Sequence, residues 1–173
     1  NLGAFDFSLL PVWIWFASYS IYPLIAVWMT WREFKLQQIE KLPGPSLPVW
    51  AKGFLLTQGT VITVLAALLF LVPGLMSTIW PWQITAGLAQ MYAGPLLSYG
   101  LTSLLFSRQD KWLGIRVIVP GMLAFTAATV IVSFVHSNLF SFTEVPDVLW
   151  LGLFMVMTVI LGMLTVRTMQ ARA

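Results

Sequence analysis

The chain has 173 residues, of which 59% are hydrophobic and 9% charged, and its mean hydropathy is +0.87. That composition excludes an ordinary water-soluble domain and makes lipid the main solvent. The net charge of +3 comes from nine Lys and Arg in short, scattered clusters, which excludes a nucleic-acid-binding face, and the lack of cysteine excludes a disulfide framework, a thiolate nucleophile and a cysteine metal site.

A helix needs roughly 20 apolar residues to cross a hydrocarbon core about 30 Å thick. Five stretches meet that length with no charge away from their ends: about 9–31, 53–72, 84–106, 113–135 and 148–166. The expected fold is therefore all-α, an integral membrane bundle of five transmembrane helices forming one domain over 1–173. The chain opens on Asn1-Leu2-Gly3, without Met or a signal peptide, as a trimmed piece of a longer chain would.

The first span carries Trp13 and Trp15 near one end and Trp28 and Trp31 near the other, the pattern of aromatic belts. Pro11 falls in its first turn, whereas Pro23 is deep enough to kink it. The polar connection over 32–52 sets Arg32, Lys35, Lys41 and Lys52 against Glu33 and Glu40. Its first half extends the helix or lies on the membrane surface before the prolines stop it. Pro45-x-x-Pro48 reads as a turn beside a membrane rather than as a polyproline ligand.

The second span repeats Gly59, Thr63 and Ala67 at four-residue spacing, a narrow face for a neighbouring helix. An uncharged hairpin connection over 73–83 leads to the third span, where Gly94, Ser98 and Thr102 repeat the same spacing. Gly94-Pro95 interrupts backbone bonding at mid-span, which places this helix among protein neighbours at the centre of the bundle. In the fourth span Pro120-Gly121 is expected to bend the helix, and Ala124 with Ala128 makes a further small face. The connection over 136–147 is acidic, with Glu144 and Asp147, and Asp147 is expected to cap the fifth helix.

With five spans the sides alternate, and all nine basic residues then fall on one of them. The positive-inside rule makes that side cytoplasmic, so the N-terminus lies outside and the C-terminus inside. Pro23-Leu24-Ile25-x-x-x-Met29-Thr30 and Pro95-Leu96-Leu97-x-x-x-Leu101-Thr102 echo one another 72 residues apart, a weak hint of a parallel duplication.

Ionisable residues within spans are the usual proton and ion sites, and their confinement to the span ends argues against proton relays and voltage sensing. Gln58, Gln90, Tyr92 and Tyr99 are polar residues inside the spans. Their ordinary role is hydrogen bonding between helices; the alternative is a cavity for a lipid or a small neutral solute. His136, where the fourth span ends, is a candidate ligand for a haem or chlorophyll-type metal, against the plainer reading of a solvated helix end. Glu144 and Asp147 are similarly read as solvating their loop rather than as an acid–base or cation site. The sequence contains no phosphate loop, His-Glu-x-x-His signature or nucleophile elbow, so no catalytic residue or metal site is assigned and no cofactor is required.

Trp80-Pro81-Trp82-Gln83-Ile84-Thr85 is the most distinctive motif, its two indoles suited to the headgroup level and Pro81 fixing the direction into the third helix. Trp13, Trp15, Trp80, Trp82, Trp112 and Trp150 are the expected membrane-interface anchors. Trp-Pro-Trp-x-Ile-Thr, followed by Leu88-Ala89-Gln90, resembles a hairpin motif of uncharacterised multispan bacterial integral membrane proteins over about 72–112. The resemblance implies a bacterial inner (cytoplasmic) membrane and supplies no activity. The expected function is a non-catalytic membrane subunit or scaffold packing against lipid, other membrane proteins or pigments. A carrier or sensor for an apolar or neutral solute is the alternative, and a membrane enzyme ranks third.

Overall fold

The computed structural model describes residues 44–140 and 143–170 and, before them, Ser8, Leu10, Trp13, Ile14, Ala17, Ile21, Ile25, Trp28 and Arg32. The chain divides into two units, Asn1–Leu42 and Pro43–Ala173. In the first, Leu10, Trp13, Ile14, Ala17, Ile21, Ile25, Trp28 and Arg32 are helical and exposed, at the three- and four-residue intervals of one helix face. The Arg32 guanidinium sits 5.8 Å from the Trp28 ring centroid, a cation–π distance. The rest of the expected first span, including Pro11, Trp15 and Pro23, lies outside the described residues.

The second unit begins with α1, Val49–Leu71. Pro48 is extended at its N-cap (ψ 152°), so the helix starts a turn earlier than expected and takes in Lys52. Val72 N–H still reaches Leu68 O at 2.9 Å, but Pro73 has no N–H to continue the ladder. Pro73 instead opens a second helix, α2, Pro73–Ile79, at the first position, where a missing donor costs nothing. The expected hairpin connection is thus partly helical, with Ser77 and Thr78 hydroxyls donating to Gly74 O (2.8 Å) and Leu75 O (2.7 Å). Trp80, the residue before Pro81, is extended, as the proline ring requires.

Thr85 caps α3, Ala86–Phe106, its hydroxyl accepting from Leu88 N–H at 3.2 Å. The expected fourth span is split into α4, Trp112–Ile115, and α5, Ile118–Val135. Pro120 explains the split: it has no N–H for Arg116 O, and its ring crowds that carbonyl, so the helix cannot run through Arg116-Val117. The anticipated bend at Pro120-Gly121 is therefore a break four residues upstream, and Pro120 lies in the first turn of α5. A short 3-10 turn, Ser137–Leu139, precedes α6, Val145–Gln170. Asp147 is the third residue of α6 rather than its cap, because Val145 and Pro146 already belong to the first turn.

Two antiparallel pairs, α1 with α3 and α5 with α6, share one core. It contains Leu55, Ile62 and Leu69 of α1, Ala93 and Leu96 of α3, Val119 and Met122 of α5, and Phe154, Met157 and Leu161 of α6. Outside it, large apolar side chains face outward, among them Phe70 and Leu71 of α1, Ile131 and Val135 of α5, and Val156 and Val159 of α6. Such surface costs about 25 cal/mol per Å² in water and nothing in lipid. By length and composition three helices, α1, α5 and α6, can cross a membrane. At 21 residues α3 is long enough, but Gln90, Gly94, Pro95, Ser98, Tyr99 and Gly100 make it too polar to join them.

Candidate functional site

Among the described residues, α1 and α3 approach closely enough for their backbones to meet. A Cβ at Gly59 would stand 2.8 Å from Leu104 N and 3.0 Å from Gly100 O, and one at Gly100 would stand 2.8 Å from Thr63 N and 3.1 Å from Gly59 O. The two glycines thus let the backbones touch, as small residues do in lipid. Thr63 Oγ1 is buried without a hydrogen bond and faces the position a Gly100 side chain would take, so a Cα–H contact is what it meets there. On α1 the contact uses Gly59 and Thr63 as their spacing suggested. On α3 it uses Gly100 and Ser103, while Gly94 and Ser98 of the anticipated stripe are exposed. Spacing identifies a stripe of small residues without saying which way the stripe is turned.

Beside this crossing lies a chain of buried hydrogen bonds. Tyr99 Oη donates to Gln58 Oε1 (3.3 Å), Gln58 Nε2 donates to Ser103 Oγ (2.9 Å), and Ser103 Oγ donates to Leu55 O (2.7 Å). Gln58 and Ser103 are 3% and 0% exposed. Each group polarises the next, and loss of any one leaves a buried donor or acceptor without a partner. The Tyr99 ring also meets Phe125 of α5 at 5.2 Å, linking the two helix pairs.

Gln58 and Tyr99 therefore come together, while Gln90 and Tyr92 do not join them. Gln90 is exposed and donates from Nε2 to Phe70 O at 3.3 Å, satisfying one of the last carbonyls of α1. Tyr92 belongs to an aromatic cluster at the end of the bundle where α2 meets α3 and α5 meets α6. There Trp80, Trp82 and Trp150 form a triangle with centroid separations of 5.4, 5.1 and 5.2 Å. Tyr92 lies 6.3 Å from Trp80, Phe140 5.5 Å from Trp82 and Phe154 4.5 Å from Trp150. Trp150 Nε1 donates to Ser133 Oγ at 3.3 Å, whereas Trp80 Nε1 is buried without a partner.

Of the expected interface anchors, Trp80 is thus an interior residue at 8% exposure, and Trp82 and Trp150 are half-buried around it. Trp13 is 56% exposed, and Trp15 lies outside the described residues. Trp112 is half-buried at the opposite end. His136 is exposed at the C-cap of α5, its N–H on Val132 O (3.0 Å) and its carbonyl accepting from Leu139 N (2.9 Å). No group of three or more His, Asp or Glu able to hold a metal occurs among the described residues. Phe125, Ser133, Phe140 and Phe154 are members of these clusters that the sequence did not single out. Ser103 follows Tyr99 by one helical turn, a spacing that puts both on one face.

At the end opposite the tryptophans, Gly44 adopts a left-handed φ of 106° and leads into Pro45, Ser46 and Leu47, which run against the α3–α4 connection. Leu47 N donates to Asp110 O (2.7 Å), Trp112 N donates to Pro45 O (3.3 Å), and Ser46 bridges Lys111. Lys52 Nζ of α1 pairs with the Asp110 carboxylate. The hydrogen bond from Lys52, and then its charge, hold the Asp110 carboxyl below the usual carboxylate range. Arg108, Arg116 and Arg167 are exposed at the same end. Compared with family models, with curated proteins and with solved structures, the chain matches none.

Proposed function

We propose that the protein is a non-catalytic integral membrane subunit or scaffold that packs against other membrane proteins, lipids or pigments. The observation that carries this reading is the state of the interior polar groups. Gln58, Tyr99 and Ser103 direct their hydrogen bonds to one another and to Leu55 O across a backbone-tight crossing, while large apolar side chains face outward. Polar groups arranged in this way fix a helix pair; they do not receive a substrate.

In this reading the chain crosses a bacterial inner membrane five times. The first span and α3 join the three apolar helices, the N-terminus is outside and the C-terminus cytoplasmic. Two features support it: the positively charged side chains gather at one end of the second unit, and the motif around Trp80-Pro81-Trp82 resembles a hairpin of multispan bacterial proteins. Too polar to face lipid on every side, α3 is suited to a position among other helices.

Native mass spectrometry after gentle extraction, with an absorption spectrum of the same sample, tests the proposal. A defined larger assembly, coloured or colourless, is expected. A colourless monomer that carries a small solute and no protein partner overturns it.

A further inference from the structure

We infer that the end of the bundle carrying Arg108, Lys111, Arg116 and Arg167 is a binding surface for the phosphate headgroup of an anionic phospholipid. The inference rests on the membrane reading above and adds a lipid selectivity to it. Lys52 pairs with the Asp110 carboxylate at this end, and the charge of Lys111 acts on the same carboxylate. The other described carboxylates, Glu144 and Asp147, stand at the far end, at the start of α6. Among the described residues, Arg108, Arg116 and Arg167 are thus left exposed at one end whose single carboxylate, Asp110, already faces Lys52 and Lys111.

They come from three separate places in the chain: the turn after α3, the α4–α5 break and the last turn of α6. The pairing of Pro45–Leu47 with the α3–α4 connection, and Ile115 at 0% exposure in the core, hold two of those places in position. Arg116 is turned outward by the break that Pro120 imposes. Its neighbour Val117 is turned outward with it, at 80% exposure.

That pairing of cation and apolar side chain recurs. Arg108 follows Leu105, which is 44% exposed, and Arg167 lies between Val166 at 54% and Met169 at 61%. A free phosphate has no use for such neighbours; a phospholipid fits both, its phosphate on the guanidinium forks and its acyl chains along the apolar side chains. A positive-inside signal requires only charge on one side of the membrane. A site of this composition also discriminates between headgroups.

The test is native mass spectrometry of the full chain in detergent, with phosphatidylglycerol or phosphatidylcholine of identical acyl chains added. Phosphatidylglycerol should be retained preferentially. Each basic residue removed should weaken its retention about fivefold, so that the combined Arg108→Gln, Arg116→Gln and Arg167→Gln variant loses the preference. The corresponding Arg→Lys variant, which keeps the charge, should retain most of it. Equal retention of the two lipids, or a preference that survives the Gln substitutions, overturns the site. So does displacement of the lipid by equimolar inorganic phosphate, which would make this a free-anion site. Alkaline carbonate washing of membranes separates the two levels of failure. Release of the chain overturns the membrane reading and the site together, whereas a chain that stays in the membrane without lipid preference overturns the site alone.

Discussion

The two helix pairs hold together by different means. Between α1 and α3, hydrogen bonds cross from one helix to the other and the backbones meet at Gly59 and Gly100. Between α5 and α6, the contact is made of larger side chains, Val119 and Met122 against Phe154, Met157 and Leu161, and most hydroxyls return to their own helix. Thr129 bonds Phe125 O at 3.0 Å, Thr158 bonds Phe154 O at 2.7 Å and Thr165 bonds Leu161 O at 2.8 Å. At the aromatic end a bond crosses this pair, from Trp150 to Ser133. In lipid no hydrophobic drive joins one helix to another, so a pair must gain its cohesion from close packing or from polar contacts. The pair that contains α3 has both.

The largest effect should come from Gly100→Val. Its Cβ would meet backbone nitrogen of Thr63, which cannot swing aside as a side-chain tip can, so the helices must part and the Gln58 to Ser103 bond must lengthen. Overpacking of this kind costs about 1–3 kcal/mol or more, read as lowered thermal stability in detergent. Gly152→Ala, in α6, is the control. Nothing lies within 4 Å of its Cβ, and alanine is the better helix former by roughly 1 kcal/mol, so stability should hold or rise. If both substitutions act alike, the crossing is not where the backbones meet.

The next effect separates bonds that cross between helices from bonds that stay on one. Gln58→Leu leaves Tyr99 Oη and Ser103 Oγ buried and short of a partner, a loss of about 1–3 kcal/mol. A double-mutant cycle with Ser103→Ala should return a coupling near the roughly 0.6 kcal/mol average for such pairs in membranes, with about 1.7 as the ceiling. Thr165→Val in the other pair removes only a bond to its own helix and should stay within about 0.5 kcal/mol of the parent. Zero coupling between Gln58 and Ser103, or a large cost at Thr165, would erase the distinction between the pairs.

Much of this arrangement is legible in the residues. Long apolar runs with no charge away from their ends mark α1, α3, α5 and α6, because such a run has few alternatives to a helix in lipid even where it carries a proline. Helix ends are less legible. Lys52 looks like a boundary but pairs with a residue 58 positions away, and the break at Arg116 is written in Pro120, four residues later. The site is legible only in part. Gln58 and Tyr99 stand out as polar residues in apolar helices, yet their meeting depends on how α1 and α3 are rotated about their axes. Periodicity in a helix that is apolar all round does not fix that rotation. For the same reason Trp80 has the sequence signature of a surface anchor but lies under Trp82, Tyr92 and Trp150.

The smallest effect concerns the link that ties the start of α1 to the end of α3. Asp110 has a folded pKa below its unfolded value of about 3.9, through the hydrogen bond and charge of Lys52. The stabilisation is therefore complete above the unfolded pKa and is lost as pH falls through the lower folded one. The Asp110 side chain is 82% exposed, so solvent and salt screen the pair and its contribution is small. As pH falls from about 6 to about 2, across the carboxylate range, the parent should lose more stability than Asp110→Asn, and the two should converge. About 1 M salt, where the screening length is near 3 Å, should narrow their difference at the higher pH. Identical pH profiles for parent and variant would remove the ion pair from the cohesion of α1 and α3, leaving it to the Gly59–Gly100 crossing and the bonds around Gln58.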